Sequence, residues 1–126
     1  IMPKVEYSKA KGLVQSTGSG FVMGAESKGA DGAADPGVAL TVATAAAALS
    51  LADGSTIGQL KYFVSTTAAD VVVTPATTAG AYATITLTNI GESCVCVWTA
   101  SGWAVLSRGS GATANAGAVA GLPVLA

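Results

Sequence analysis

Alternation of apolar and polar positions is the main structural signal in this chain, and it predicts β-strands. Between residues 38 and 109, short runs of β-branched and apolar residues alternate with small or polar ones, and Gly, Asn, Asp or Pro bounds each run. The clearest runs cover residues 59–64, 70–74 and 82–87. Short strands separated by turn residues in this way are typical of a sandwich or a barrel. We therefore predict an all-β fold, a single small antiparallel β-sandwich or barrel.

A hairpin is predicted towards the end of this region. Residues 93–98 and 103–106 are two apolar runs joined by a tight Thr-Ala-Ser-Gly connection. Trp98 and Trp103 flank that turn, and a cross-strand pair would bring their rings together. We expect the two rings to plug one end of the fold. A carbohydrate-binding platform would use the same rings and stays open as an alternative.

The alanine-rich segment at residues 45–52 is ambiguous between helix and strand. Its run of four alanines has high helix propensity, but Thr44 and Ser50 bracket the run and a turn signal follows at Asp53 and Gly54. A short isolated helix is only marginally stable in water. A strand is therefore favoured over a helix of one or two turns.

The pattern divides the chain into three regions. Residues 1–36 are polar and glycine-rich and are predicted to form an extended N-terminal arm with one or two short strands; residues 37–109 form the β body, and residues 110–126 form a C-terminal arm. Arms with few apolar anchors gain order mainly by lying on something else. The apolar C-terminal end is expected to dock on a neighbouring subunit or on the body of the same chain.

Two sets of residues follow from this division. The residues expected in the core or in an interface are Tyr62, Val64, Ile85, Leu87, Trp98 and Trp103. The arm residues expected to contact a partner or a neighbouring copy are Lys4, Val5, Tyr7, Leu13, Phe21, Leu122, Val124 and Leu125.

Composition makes a free monomer an unexpected state for this chain. Charged residues are only 10% of the sequence and the net charge is -1, whereas soluble domains carry about a quarter charged residues. Aromatic residues are 6%, and much of the 51% hydrophobic content is alanine, so the core is expected to be thin. A charge-poor exterior suits a protein whose surface is covered by neighbours. We therefore expect oligomerisation to supplement the core.

The residues needed for most catalytic and metal-binding chemistry are scarce. The sequence contains no His, which is the most frequent general base and metal ligand. Asp31 and Asp35 form the closest carboxylate pair, but a calcium loop supplies more oxygen ligands at fixed spacing. Cys94 and Cys96 fall short of the four ligands of a structural zinc site, and we expect them to be buried free thiols. We predict a protein that is not an enzyme and has no metal and no cofactor.

Nucleic acid and membrane partners are not expected either. The six Lys and Arg residues are dispersed and form no basic stripe for phosphates. The first residues carry charges where a secretory signal has its apolar segment. The longest apolar run, residues 38–52, is too short for a bilayer and is interrupted by Thr and Ser.

Three segments resemble small β-rich virion proteins of tailed bacteriophages. They are residues 51–61 (LADGSTIGQLK), 83–93 (ATITLTNIGES) and 97–106 (VWTASGWAVL), within a resemblance that spans about residues 38–109. The Gly-Gln-x-Lys piece and the Trp-x-x-x-Gly-Trp hairpin carry it. Proteins of this kind are often capsid decoration (cement) proteins or fibre-like proteins.

The resemblance implies a homotrimer that binds the major capsid protein on the exterior of the virion, assembled in the host cytoplasm, and stabilises the head. The N-terminal arm, up to about residue 24, would cross the boundaries between capsid subunits. A head-fibre, tail-fibre or baseplate component and a lectin-like binding module are the alternatives, because a shared fold does not establish a shared function.

Overall fold

The structure is a computed structural model that describes residues 4–8, 12–17, 22–111 and 122–126. All regular elements in these ranges are β-strands, so the predicted all-β fold is confirmed. The strands are β1 (Lys4–Ser8), β2 (Gly12–Thr17), β3 (Ala25–Lys28), β4 (Gly32–Ala34), β5 (Leu40–Ala43), β6 (Ala47–Leu51), β7 (Leu60–Ser65), β8 (Val71–Pro75), β9 (Ile85–Leu87), β10 (Ser93–Thr99), β11 (Gly102–Gly109) and β12 (Val124–Leu125). The alanine-rich segment forms strand β6, as favoured over a helix. Within the described ranges, no helix is long and apolar enough to span a membrane.

The first two strands form an antiparallel hairpin in a sheet of their own. Tyr7 lies opposite Leu13 in its register, and Val5 lies opposite Gln15. The predicted N-terminal arm therefore contains a regular hairpin. The side chains of the predicted contact residues Lys4, Val5, Tyr7 and Leu13 lie outside the described part of the structure, and so does the whole of Phe21.

The other ten strands form two five-stranded sheets. Sheet one has the order β11-β10-β7-β5-β3, and sheet two has the order β12-β9-β8-β6-β4. From β3 to β8 the chain passes from one sheet to the other after every strand, so these six strands make three successive coils of a two-sided solenoid. The sheets begin at β3, within the segment assigned to the N-terminal arm.

The expectation of purely antiparallel sheets is wrong, because both sheets are mixed. The solenoid strands pair in parallel, β3 with β5 and β5 with β7 in sheet one, β4 with β6 and β6 with β8 in sheet two. Parallel neighbours need a crossover connection, and here a strand of the opposite sheet provides each crossover. The last strands are antiparallel, including the predicted hairpin of β10 and β11. The two sheets stay open, so the fold is a sandwich and the barrel alternative is wrong.

The hydrophobic core lies between the two sheets. Its buried members are Ala34, Ala43, Ala47, Leu49, Leu51, Phe63, Val71, Val73, Ile85, Leu87, Cys94, Cys96 and Trp103. Small and medium side chains dominate this set, and only Phe63 and Trp103 are large aromatics. Ile85, Leu87 and Trp103, expected in the core or an interface, are fully buried here, and Trp98 packs against the core from its margin.

The C-terminal residues dock on the body of the same chain. Strand β12 pairs antiparallel with β9, and the backbone N–H of Ala83 donates to the Ala126 carbonyl at 2.8 Å. Arg108 donates from its guanidinium to the Pro123 carbonyl at 3.0 Å. Leu125 packs on the core, whereas Leu122 and Val124 stay exposed. Of the two docking sites open for this segment, the structure shows the one on its own body.

Candidate interaction surface

The outer face of sheet one is built from the alternation of side chains along strand β7. Lys61, Phe63 and Ser65 point inward and are buried, so Leu60, Tyr62 and Val64 point outward. Tyr62 and Val64 therefore do not belong to the core. Their role in an interface stays a prediction.

Neighbouring strands extend this outward row across the sheet. Leu40 and Val95 lie on either side of Tyr62, while Val97 lies beside Leu60 and Val42 beside Val64. Ala25, Ser27, Ser93 and Ala104 complete the surface at its margins. We call this surface the uncharged face; its members are Ala25, Ser27, Leu40, Val42, Leu60, Tyr62, Val64, Ser93, Val95, Val97 and Ala104.

The charged residues of sheet one all lie on its other side. The strands of this sheet contain Glu26, Lys28, Lys61 and Arg108. Glu26 and Lys28 pair in register with the inward residues Thr41 and Ala43, and Arg108 pairs with the inward Cys94. The outer face is consequently free of charge over all five strands.

Lys61 is the most unusual of these placements, because its side chain is fully buried on the middle strand of the sheet. Its ammonium donates to the carbonyl oxygens of Asp35 at 2.8 Å and Val38 at 2.7 Å. It lies 3.8 Å from Glu26 Oε1. Burial lowers the pKa of Lys61, and the negative charges of Glu26 and Asp35 oppose that shift. Lys61 thus fastens the loop between β4 and β5 to the middle of sheet one.

Glu26 completes this network from the edge strand. Its Oε1 accepts hydrogen bonds from the Asp35 backbone N–H at 2.9 Å and from Thr41 Oγ1 at 2.8 Å. Burial raises the pKa of Glu26, but these hydrogen bonds and the charge of Lys61 outweigh it, so the pKa lies below its usual value. Glu26 is therefore a carboxylate at neutral pH.

The outer face of sheet two is chemically different. One row across it contains Ala33, Ser50 and Thr74, and the next contains Ala48, Val72, Thr86 and Val124. Small and hydroxyl-bearing side chains of this kind are readily hydrated. Of the two five-stranded sheets, only sheet one presents branched aliphatic side chains and a tyrosine over several adjacent strands, because Thr86 separates Val72 from Val124 on sheet two.

The sheet edges are poorly suited to pairing with another chain. Trp103, near the start of edge strand β11, donates its backbone N–H to the Thr77 carbonyl at 2.9 Å and accepts from the Ala79 N–H at 2.8 Å, so residues 77–79 cover the start of this edge. On edge strand β3, Glu26 and Lys28 point inward, and edge strands β4 and β12 are only three and two residues long. Inward charges, short strands and covering loops all discourage edge pairing.

The two tryptophan rings lie together beside the turn between β10 and β11, where Trp98 and Trp103 face each other in register. The ring centroids of Trp98 and Trp103 are 5.4 Å apart at an interplanar angle of 64°. Trp103 is fully buried and its Nε1 donates to the Ala52 carbonyl at 2.9 Å. Trp98 packs directly on Gly54, where a Cβ would have no room. Since Trp103 exposes no ring face, a two-ring platform for sugars is not present in this structure.

Two motif segments of the phage resemblance contain residues with structural roles. Glu92 is fully buried and accepts hydrogen bonds from the Thr88 N–H at 3.1 Å and from Asn89 Nδ2 at 2.7 Å, which closes the turn between β9 and β10. Gln59 Oε1 accepts from the Ser55 N–H at 2.8 Å, and its amide nitrogen donates to the Pro36 carbonyl. Sequence reasoning did not assign the contacts of Gln59 with Pro36 or of Lys61 with Asp35 and Val38, because these partners lie more than twenty residues earlier in the chain.

The two cysteines are buried free thiols on the inner side of β10, as expected. The hydrogen bond with Cys96 and burial raise the pKa of Cys94, so Cys94 stays a neutral thiol. Among the described residues, no group of three or more His, Cys, Asp or Glu side chains is placed to hold a metal ion.

Comparison with known proteins assigns no family to the chain. No protein-family model matches it, and no curated protein sequence is significantly similar to it.

Proposed function

We propose that this protein is a non-enzymatic structural protein of a tailed bacteriophage, a capsid decoration protein that binds the outside of the head as a homotrimer. The uncharged face carries this proposal. It is a continuous surface of aliphatic side chains with one tyrosine at its centre and serines at two of its margins, and every charge of its sheet lies on the opposite side. Apolar area left in water forgoes about 25 cal/mol per Å² of stabilisation, so a covered state is favoured for such a surface.

The mechanism is stabilisation through shared surface area. A decoration protein binds several neighbours at once, and linked contacts of modest strength add up to high avidity. In this proposal the sandwich supplies the rigid body, and the N-terminal region up to about residue 24 reaches across the boundaries between capsid subunits. The buried Lys61 network supports that division of labour, because it holds the first solenoid coil on the middle strand of sheet one.

Labelling of particles tests the proposal directly. Antibodies against the purified chain, applied to particles of the phage that encodes it, should label the whole head surface in electron micrographs. Purified chain added to heads that lack it should bind until a fixed number of copies per head is reached, and those heads should then withstand heating that opens bare heads. Bare heads incubated with buffer and particles treated with non-immune antibody are the controls.

Two results would contradict the proposal. Label confined to the tail or to a single vertex would make the protein a tail-fibre, baseplate or head-fibre component instead. Absence of label from every particle would show that the protein is not a component of the virion.

A further inference from the structure

We infer that the uncharged face is the surface through which the copies of the homotrimer contact one another, with their Tyr62 side chains gathered near the threefold axis. This inference rests on the proposed function for the reason why copies assemble. It goes further in naming the surface, its occupant and its central residue.

Tyr62 occupies the geometric centre of the face. Strand β7 is the middle strand of the five in sheet one, and Tyr62 is flanked by Leu40 on one neighbouring strand and Val95 on the other. Leu60 and Val64 lie two residues away along β7, on the same side. A half-buried aromatic ring surrounded by aliphatic side chains is the usual composition of an interface centre.

The absence of charge on the face favours a second copy as the occupant. When a surface binds the same surface of another copy, each side chain near the axis meets its own kind, so any charge there would meet a like charge. The uncharged face has no charged side chain, so no like charges would meet there. Lys61 lies on the inner side of the same strand, where burial of its ammonium is costly. Hydrogen bonds to two carbonyl oxygens and the charge of Glu26 offset that cost.

The size of the face indicates how tight this contact is by itself. Five strands span about 19 Å and residues 60–64 span about 13 Å, which gives a flat area of about 250 Å². A patch of this size is no larger than the largest apolar patch of an ordinary monomer, and a standard interface buries about 800 Å² from each partner. The face is therefore the apolar centre of a larger contact. We expect an association that depends on chain concentration and that fails when a charge is placed at its centre.

The experiment uses the full chain with point variants on the two outer faces. Tyr62→Lys and Val95→Lys place a cation on the uncharged face, whereas Thr74→Lys places one on the outer face of sheet two as the matched control. Light scattering and sedimentation over a range of concentrations measure the mass, and far-ultraviolet circular dichroism with urea unfolding shows that each variant is folded. We expect an oligomer for the wild type and for Thr74→Lys, and the 12.2 kDa single chain for the other two variants. Association should weaken about a hundredfold or more.

A mixing experiment tests the position of Tyr62 near the axis. Tyr62→Lys and Tyr62→Glu should each be monomeric alone and should assemble when mixed, because the opposite charges then meet near the axis. A mixture that stays monomeric would overturn the placement of Tyr62 near the axis.

Other results would overturn the inference as a whole. One is a wild type that remains a single chain at the highest soluble concentration, which would mean that another part of this chain or a different protein covers the face. The other is an unchanged association constant in folded Tyr62→Lys and Val95→Lys. Because these measurements use the purified chain alone, they are independent of the particle labelling. A protein that assembles through Tyr62 but labels no particle would refute the proposed function and leave this inference standing.

Discussion

Replacement of Lys61 by Met is the sharpest test of the energetic account of sheet one. Methionine keeps the length and apolar stem of lysine but removes the ammonium. The Val38 carbonyl oxygen then loses the ammonium donor, the Asp35 carbonyl keeps only the Val38 N–H at 3.1 Å, and Glu26 loses a cation 3.8 Å away. Each hydrogen bond from a charged donor contributes about 1.5–3 kcal/mol, and the variant no longer buries an ammonium, which offsets part of that loss. We expect the free energy of unfolding to fall by about 3 kcal/mol.

The assay is urea unfolding followed by circular dichroism, at one fixed chain concentration because association also stabilises the fold. Glu26→Gln provides the second arm of a double-mutant cycle. Its amide oxygen can still accept from Asp35 and Thr41, so only the ion attraction is lost. At 3.8 Å that attraction is weaker than the carbonyl bonds, and we expect a coupling energy of about 1 kcal/mol between positions 26 and 61. A Lys61→Met protein within about 0.5 kcal/mol of the wild type would refute the reasoning.

Three further predictions concern other parts of the sandwich. The pKa of Glu26 is lower in the folded chain than its ordinary value of 4.5, so its charge stabilises the fold fully above pH 4.5 and progressively less as the pH falls. When urea unfolding is repeated between neutral and strongly acid pH, the difference in the free energy of unfolding between the wild type and Glu26→Gln should therefore shrink. Gly102→Ala should lower the free energy of unfolding by about 2 kcal/mol or more, because Gly102 has a φ of 121° and a Cβ there would lie 2.8 Å from the Thr77 backbone. Gly24 has open space around it, so the control variant Gly24→Ala should change the free energy of unfolding little. The two buried cysteines should resist a thiol-specific chromogenic reagent in the native protein and react completely in denaturant; rapid stoichiometric reaction in the native state would contradict their burial.

The motif residues of the phage resemblance have stabilising roles in this fold. Lys61 and Gln59 hold the loop at residues 35–38, and Glu92 closes the turn before β10. All three contact carbonyl or amide groups of the chain itself. A sequence pattern of this kind therefore reports on the sandwich, and function depends on the surfaces that the sandwich presents.

The side of β7 that faces the core could not be predicted from the sequence. Alternation predicted the strand and placed Leu60, Tyr62 and Val64 on one side, which is right. Hydrophobicity favoured that side as the core side, but the structure buries Lys61 instead. The decision depends on carbonyl oxygens supplied by a loop more than twenty residues away, and no local pattern encodes that loop's position.

Strand pairing was undetermined for a similar reason. The runs of alternating residues define strands but do not name their partners, and the chain uses neighbours in the opposite sheet as crossovers between parallel strands. The short and partly polar strands β3 and β4 carry too few apolar residues to be recognised as part of the body. Their place in the sheets depends on pairing with β5 and β6.

The sequence by itself determined the all-β class, the hairpin of β10 and β11 and the burial of the two thiols, and it favoured a strand over a helix at residues 47–51. Side-chain alternation and turn residues act over a few neighbouring positions. Only the tertiary structure decided which side of sheet one faces water, since that choice balances groups brought together from β3, β7 and the loop between β4 and β5. The same balance left Tyr62 at the centre of a surface without charge. Backbone periodicity is local, whereas the compensation of a buried ammonium is not.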